Sequence, residues 1–301
     1  MLALQKPIVG KWSSKKYKPL RQLGSGGTAK VFLVRNMEDQ KLYAMKISQD
    51  SLSINREYQL LKKLHYMDFV VDVHDIDDLI IKNEIWNYLI LEYIPGVNLK
   101  DYLLRSPLPV DTILGIIMIL LEEIEEVHNL GYILGDLKLE NLMMDEKNKK
   151  IRLIDLGGVV EIGGNIKEYT PAYDRAAWRC GERKAEASYD LFTILMILTR
   201  LIIGEKIDPL NGIKKVVSKI NDKRISVELK SFLINSYKSQ NLSIEGMKKS
   251  IRALYRVEGN RSRMEKELKR SKFINITFIA SGVFLLSTFL LIAVIFIIDK
   301  L

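Results

Sequence analysis

The chain has 301 residues, 28% of them charged and 48% apolar, which allows a sizeable buried core and excludes a disordered or low-complexity protein. A formal charge of +9 favours anionic partners such as nucleotide phosphate, nucleic acid or membrane lipid, without choosing among them. The single cysteine, Cys180, excludes an intrachain disulfide, and no Cys/His spacing suits a metal site, as expected for a reducing compartment.

Residues 1–16 read as a lead with no apolar run long enough for a secretory signal, so the soluble part is expected to stay inside. Tyr17–Leu23, Lys30–Arg35 and Lys41–Ile47 read as strands of an antiparallel meander separated by turn residues. The first turn is Gly24-Ser25-Gly26-Gly27-Thr28-Ala29-Lys30-Val31, whose glycines let backbone N–H groups approach phosphate oxygens. Alone, the glycine pattern is a weak signal, and a plain hairpin turn is the alternative. The third strand carries Ala44 and Lys46. Arg56 to His65 is apolar at helical spacing and offers Glu57, which on its own reads equally as a surface glutamate. Tyr88 to Leu91 is an apolar strand running through Glu92, Tyr93 and Ile94 into a Pro95-Gly96 turn.

A long helical pattern from Asp111 to His128 precedes Leu134-Gly135-Asp136-Leu137-Lys138-Leu139-Glu140-Asn141. Nineteen residues after Asp136, the apolar strand Ile151–Ile154 delivers Asp155-Leu156-Gly157, and Tyr189-Asp190-Leu191-Phe192 opens a further apolar helix. D-L-K-x-E-N followed by D-x-G, behind a glycine loop and a lysine strand, resembles the Hanks-type (eukaryotic-like) serine/threonine protein kinases. The resemblance covers about Tyr17 to Tyr255. It implies an α+β, bilobal protein-kinase-like fold over residues 17–258. The small lobe would have five strands and one helix and reach about residue 91; a hinge would follow at Glu92–Gly96, then a mostly helical lobe from about residue 97.

The resemblance also implies ATP with Mg²⁺, or alternatively Mn²⁺, and serine or threonine hydroxyls of proteins as acceptors, the chain's own included. G-x-G-x-x-A-x-V would lay Gly24, Ser25, Gly26, Gly27, Ala29 and Val31 over the nucleotide. Tyr43-Ala44-Met45-Lys46 matches V-A-x-K, with Lys46 reaching the α- and β-phosphates and Glu57 pairing with it. Lys46 and Glu57 are only 11 positions apart, so the lead-in to the helix should be abbreviated. The backbone at Glu92 and Ile94 would hold adenine. Phosphoryl transfer passes through a loose transition state with charge spread over the oxygens, so positioning and charge neutralisation are what it requires. Asp136 would orient the acceptor hydroxyl, Lys138 would offset charge on the γ-phosphate, and Asn141 and Asp155 would hold the metal through oxygen ligands. Read singly, both aspartates could be turn or capping residues. Asp190 would brace the catalytic loop.

Leu134 and Gly135 stand where the family carries His-Arg, and the spacing places Ala176-Ala177-Trp178 at A-P-E, with Glu182 nearby. The missing arginine ordinarily receives an activation-segment phosphate, so activity independent of such phosphorylation is expected. Gly135-Asp136-Leu137-Lys138, Asp155-x-Gly157-Gly158 and Tyr173-Asp174-Arg175-x-x-Trp178, together with the tail, resemble the YabT-like membrane kinases of spore-forming Gram-positive bacteria. That group lacks an extracellular sensor and is associated with sporulation and DNA-dependent activation, which would make the basic C-terminal region a DNA-responsive patch.

The tail supports a membrane anchor independently of the resemblance. Residues 273–298 hold no charge, and 26 residues of helix would be ~39 Å long against ~30 Å of hydrocarbon. From Arg252 to Lys272 eight basic and three acidic residues give 8 − 3 = +5, so the positive-inside rule places the kinase domain in the cytoplasm. A basic juxtamembrane linker at 259–272, a single transmembrane helix at 273–298 in contact with lipid, and a short extracytoplasmic tail at 299–301 are expected, with the C-terminus outside. Competing readings are a pseudokinase scaffold at the membrane, a small-molecule phosphotransferase of related fold, and a membrane-tethered DNA-binding protein.

Overall fold

The computed structural model describes residues 7–27, 29–239, 242–268, 270 and 281. The expected transmembrane helix at 273–298, Ser281 apart, and the tail at 299–301 lie outside the described residues, as does Thr28 of the glycine loop. Among the described residues no helix is long and apolar enough to cross a membrane.

The small lobe is an antiparallel sheet of β1 (Ile8–Val9), β2 (Lys16–Ser25), β3 (Ala29–Asn36), β4 (Leu42–Ser48), β5 (Val73–Ile81) and β6 (Glu84–Glu92), in the order β1-β2-β3-β4-β6-β5. Strand pleating explains how one sheet serves two cores. Along β6, Tyr88 and Ile90 pack with Tyr17, Phe32, Val34 and Met45 on one face, while Leu89 and Leu91 join the main core on the other. The sheet has six strands where five were expected. The extra one, β1, sits inside the expected lead; two residues are too short to show a period in sequence. The Asp77 carboxylate ties that segment down by accepting from the backbone N–H of Trp12 (3.0 Å) and Ser13 (2.8 Å).

Helix α1 (Ser51–Lys63) follows β4 after only Gln49 and Asp50, the abbreviated lead-in that the spacing requires. Asp50 caps it, accepting from Ser53 N–H at 3.0 Å.

The chain crosses to the large lobe through β7 (Gly96–Asn98), α2 (Leu99–Arg105) and α3 (Val110–Asn129). Then come β8 (Tyr132–Ile133), β9 (Leu142–Asp145), β10 (Lys150–Leu153), β11 (Val160–Glu161), α4 (Ala187–Ile203), α5 (Gly212–Asn221), α6 (Val227–Ser236) and a last helix, α7, over residues 244–268. Strands β7, β9 and β10 form a small sheet under the cleft, and β8 pairs with β11. The core is centred on α4, whose residues Tyr189 to Ile203 are all buried, packed on the apolar stripe of α3. Met247, Ile251 and Leu254 seat α7 against the lobe, and its Glu258 carboxylate accepts from Ser226 N–H at 2.7 Å. The helix runs past residue 258, so the expected start of the linker is helical through residue 268.

The turn into β7 admits only glycine. At Gly96 φ is +152°, and a Cβ would lie 2.0 Å from the Met144 carbonyl oxygen on β9. Gly96→Ala should therefore destabilise the fold by ~1–3 kcal/mol through forced displacement of β9, read as a lowered midpoint in chemical denaturation.

Candidate active site

The cleft between the lobes is assembled around Lys46. Strand β4 pairs with β3 so that Lys46 lies opposite Val31, and with β6 so that Ala44 lies opposite Leu91. The Lys46 Nζ sits 2.7 Å from Glu57 Oε1 on α1 and 2.9 Å from Asp155 Oδ1, which follows β10. Only 2% of the Glu57 side chain is exposed, so this is not the surface glutamate of the alternative reading. Desolvation pulls the Lys46 ammonium toward losing its proton, but the facing Glu57 and Asp155 charges outweigh it and hold the pKa above the usual lysine value. Burial likewise opposes ionisation of Asp155, and the Lys46 charge with the Gly157 N–H (3.0 Å) outweighs it, so its carboxyl stays below the ordinary range. Burial pushes the Glu57 carboxyl up against the pull of Lys46.

Above this cluster lies the glycine loop, closed by Gly26 N–H donating to the Ala29 carbonyl at 2.8 Å. Ser25 pairs with Lys30 and Gly24 with Val31. A Cβ at Gly24 or Gly27 would meet nothing within 4 Å, and at Gly26 only the Ala29 carbonyl oxygen at 3.7 Å. Among the described residues, packing therefore does not require glycine at these positions. The loop is a hairpin turn, and the space left at these glycines would suit the close-approaching phosphate that the sequence resemblance implies. At the hinge Ile94 is buried, while the Glu92 carboxylate is taken by Arg152 at 2.7 Å and its N–H by the Asp72 carbonyl at 2.8 Å.

The catalytic loop follows β8. The fully buried Asp190 carboxylate accepts from the backbone N–H of Leu134 (2.7 Å) and Gly135 (3.0 Å) and lies 3.0 Å from His128 Nε2. This is the expected brace. His128 is an addition that the sequence shows only as the end of a helix. Gly135, which replaces the family's arginine, has a local steric reason. Its φ is +71°, and a Cβ there would lie 2.4 Å from the Gly158 carbonyl oxygen, while a Cβ on Gly158 would meet the Asp136 Cβ at 2.7 Å. The Gly-Asp and Gly-Gly pairs thus let the two loops pack backbone to backbone.

Asp136 is ion-paired with Lys138 and accepts from Thr170 Oγ1 at 2.7 Å. Thr170 was not foreseen, because a lone threonine 34 positions downstream belongs to no motif read in the sequence. Asn141 is buried next to the metal-candidate aspartate, its carbonyl accepting from Ile154 N–H at 3.0 Å. Glu182 stays on the surface beside Lys184 and does not replace the missing A-P-E glutamate.

Lys46, Glu57 and Asp155 are thus joined directly, Asp136 and Lys138 pair beside Gly158 of the same segment, and Asn141 accepts from the residue before Asp155. An amide oxygen and a carboxylate suit a hard divalent cation that completes its shell with phosphate oxygens and water. Among the described residues no three His, Cys, Asp or Glu side chains converge as a metal site.

Residues 17–271 match the protein kinase domain family, so the chain belongs to the protein kinases. Within that family it is a Hanks-type serine/threonine kinase. The serine/threonine-protein kinase YabT of Bacillus subtilis is 34% identical over 250 residues, covering 81% of this chain and 73% of that protein. The probable serine/threonine-protein kinase fnkB of Dictyostelium discoideum is 36% identical over 103 residues, 34% of this chain but only 19% of that protein. Among solved structures, the Cydia pomonella granulovirus kinase PK-1 superposes with a TM-score of 0.59 over 74% of this chain and 87% of that chain, at 19% identity, a likeness of fold alone. Protein kinases as a class use ATP with a divalent cation and act on proteins.

The Asp155 shift sets a pH dependence. A carboxyl depressed in the folded state contributes stability that is present above the unfolded value of about 4 and lost as pH falls through the lower folded value. The stability difference between wild type and Asp155→Asn should therefore narrow on acidification from about pH 6 to about pH 3, measured by denaturant unfolding.

Proposed function

We propose that this chain transfers the γ-phosphate of Mg²⁺-ATP to serine and threonine hydroxyls of proteins, its own among them, while anchored to the cell membrane by a single C-terminal span. The observation that carries the catalytic reading is the bridging of Lys46 between Glu57 and Asp155, in the cleft where Asp136 meets Lys138 and Thr170. Glu57 and Asp155 hold the Lys46 ammonium so that it can neutralise phosphate charge. The Asp155 carboxylate and the Asn141 amide oxygen would hold the divalent cation, which supplies charge neutralisation between the phosphates when bound. Asp136, which accepts from Lys138 and Thr170, would orient an acceptor hydroxyl, and Lys138 beside it would offset charge that develops on the transferred group. The loss of the family's His-Arg and A-P-E glutamate favours, as a second reading, a pseudokinase that binds nucleotide without transferring phosphate.

The anchor and a cytoplasmic kinase domain are supported by the uncharged run at 273–298 and the +5 stretch before it. That stretch is also the candidate for DNA contact, because its charges would neutralise backbone phosphates in a salt-dependent way. Among the described residues two of its cations are already ion-paired, Arg252 with Glu122 on α3 at 3.5 Å and Arg261 with Glu265 at 3.3 Å.

Radiolabelled ATP given to the full chain should label both the chain and added protein substrate. Lys46→Ala and Asp136→Asn should each lower the rate by ~100-fold or more. Equal label in all three would point to a contaminating activity, and nucleotide binding with no transfer by wild type would favour the pseudokinase. Double-stranded DNA should raise autophosphorylation at low salt and lose that effect at high salt; no response at either would remove the DNA reading.

A further inference from the structure

The Tyr173-Asp174-Arg175-x-x-Trp178 motif has no role in the chemistry described so far, yet all four named residues are buried: Tyr173 is 2% exposed, Asp174 0%, Arg175 7% and Trp178 4%. A fully buried carboxylate must be matched by donors to be tolerated. The Asp174 carboxylate accepts from Arg183 through Nε (3.2 Å) and a terminal nitrogen (2.6 Å), from the Tyr189 hydroxyl (3.0 Å) and from Ala177 N–H (3.1 Å). Burial works against its charge and these donors outweigh it, holding the carboxyl below the ordinary range. The Arg183 guanidinium is thereby fixed in place, and it lies 3.5 Å from the centroid of the Tyr169 ring. The next residue is Thr170, which donates to Asp136 at 2.7 Å. A second arm leaves the same motif: the Tyr173 hydroxyl bonds Arg200 on α4, whose guanidinium lies 3.8 Å from Glu140 in the catalytic loop.

We propose that Asp174 is a positioning residue for phosphoryl transfer: through the Arg183 guanidinium and the Tyr169 ring it holds Thr170 against the Asp136 carboxylate, and so sets the acceptor side of the cleft. This rests on the reading that Asp136 orients the acceptor hydroxyl. The relay ends on Asp136 and does not touch Lys46, Glu57 or Asp155, so breaking it should spoil transfer and leave nucleotide binding intact. It also gives the activation segment an internal ion pair in a chain whose catalytic loop has glycine in place of the phosphate-receiving arginine.

The test uses the full chain in detergent with radiolabelled ATP, dephosphorylated casein as acceptor and a fluorescent ATP analogue to measure nucleotide affinity. Asp174→Asn and Tyr169→Leu should each lower kcat for casein by about tenfold or more, because a displaced reacting group costs rate steeply, and should leave the nucleotide Kd within about twofold. Tyr169→Phe, which keeps the ring, should restore most of the kcat lost in Tyr169→Leu. The Asp174→Asn/Tyr169→Leu double variant should be no worse than the more damaging single, since both cut one chain of contacts. Glu182→Gln, on the surface nearby, should behave as wild type. Unchanged kcat in folded Asp174→Asn and Tyr169→Leu overturns the proposal, and so does a parallel loss of nucleotide affinity, which would mark a general structural role. Should Asp174→Asn fail to fold by circular dichroism, Arg183→Lys and Tyr169→Leu carry the test, and unaltered kcat in both sinks it. An Asp136→Asn arm separates the two levels: wild-type transfer there removes the reading of Asp136 itself. Loss there with unaffected Asp174→Asn removes only the relay.

Discussion

The ammonium of Lys46 is shared by two carboxylates from different parts of the chain, one on α1 and one after β10, and the interlobe geometry depends on that sharing. A buried lysine with one partner would already be costly to desolvate, and a buried glutamate with none would cost more. With both carboxylates in place, α1 is drawn in against the sheet and the loop after β10 is drawn up toward β4. Leu156 N–H adds a weaker tie to Glu57 at 3.4 Å. Three pieces that are remote in sequence thus become one electrostatic unit before any nucleotide is present, and the ligand meets cations and oxygens already arranged.

Near that unit two fully buried carboxylates each support a loop. Asp190 lies in the first turn of the largely apolar α4 and takes up two backbone donors of the catalytic loop that would otherwise be orphaned. Asp174 performs the same service one layer away for the activation segment. In both cases a helix or turn packed into the apolar core serves as the rigid base, and the loop inherits its order from a single carboxylate.

The parts legible in the sequence were those in which chemistry restricts residue type and spacing together. Lys46, Glu57, Asp136, Asn141 and Asp155 could be expected near one another because their motifs resemble those of the protein kinases, whose chemistry restricts them in this way. Strand β6 was readable from its apolar run, and its two-sided burial explains why that run does not alternate. Strand β1 was not readable, since two residues carry no period and its anchor, Asp77, is 64 positions from Ser13. The Asp174-Arg183-Tyr169-Thr170 relay was equally hidden. Its members are common surface residue types, and only the fold brings a guanidinium between a carboxylate and a ring. The exchange of arginine for glycine at position 135 read as a loss, whereas the backbone contact with Gly158 gives that glycine a steric purpose.

Helix α7 is seated on the large lobe over its first half, where Arg252 and Lys248 grip α3 and Ile251 is fully buried. Residues 259–268 continue the same helix beyond Glu258, the last of its deeply buried positions, for ~15 Å at the usual rise. The ion pairs to α3 and the buried Ile251 therefore set the direction in which this last length of helix leaves the lobe.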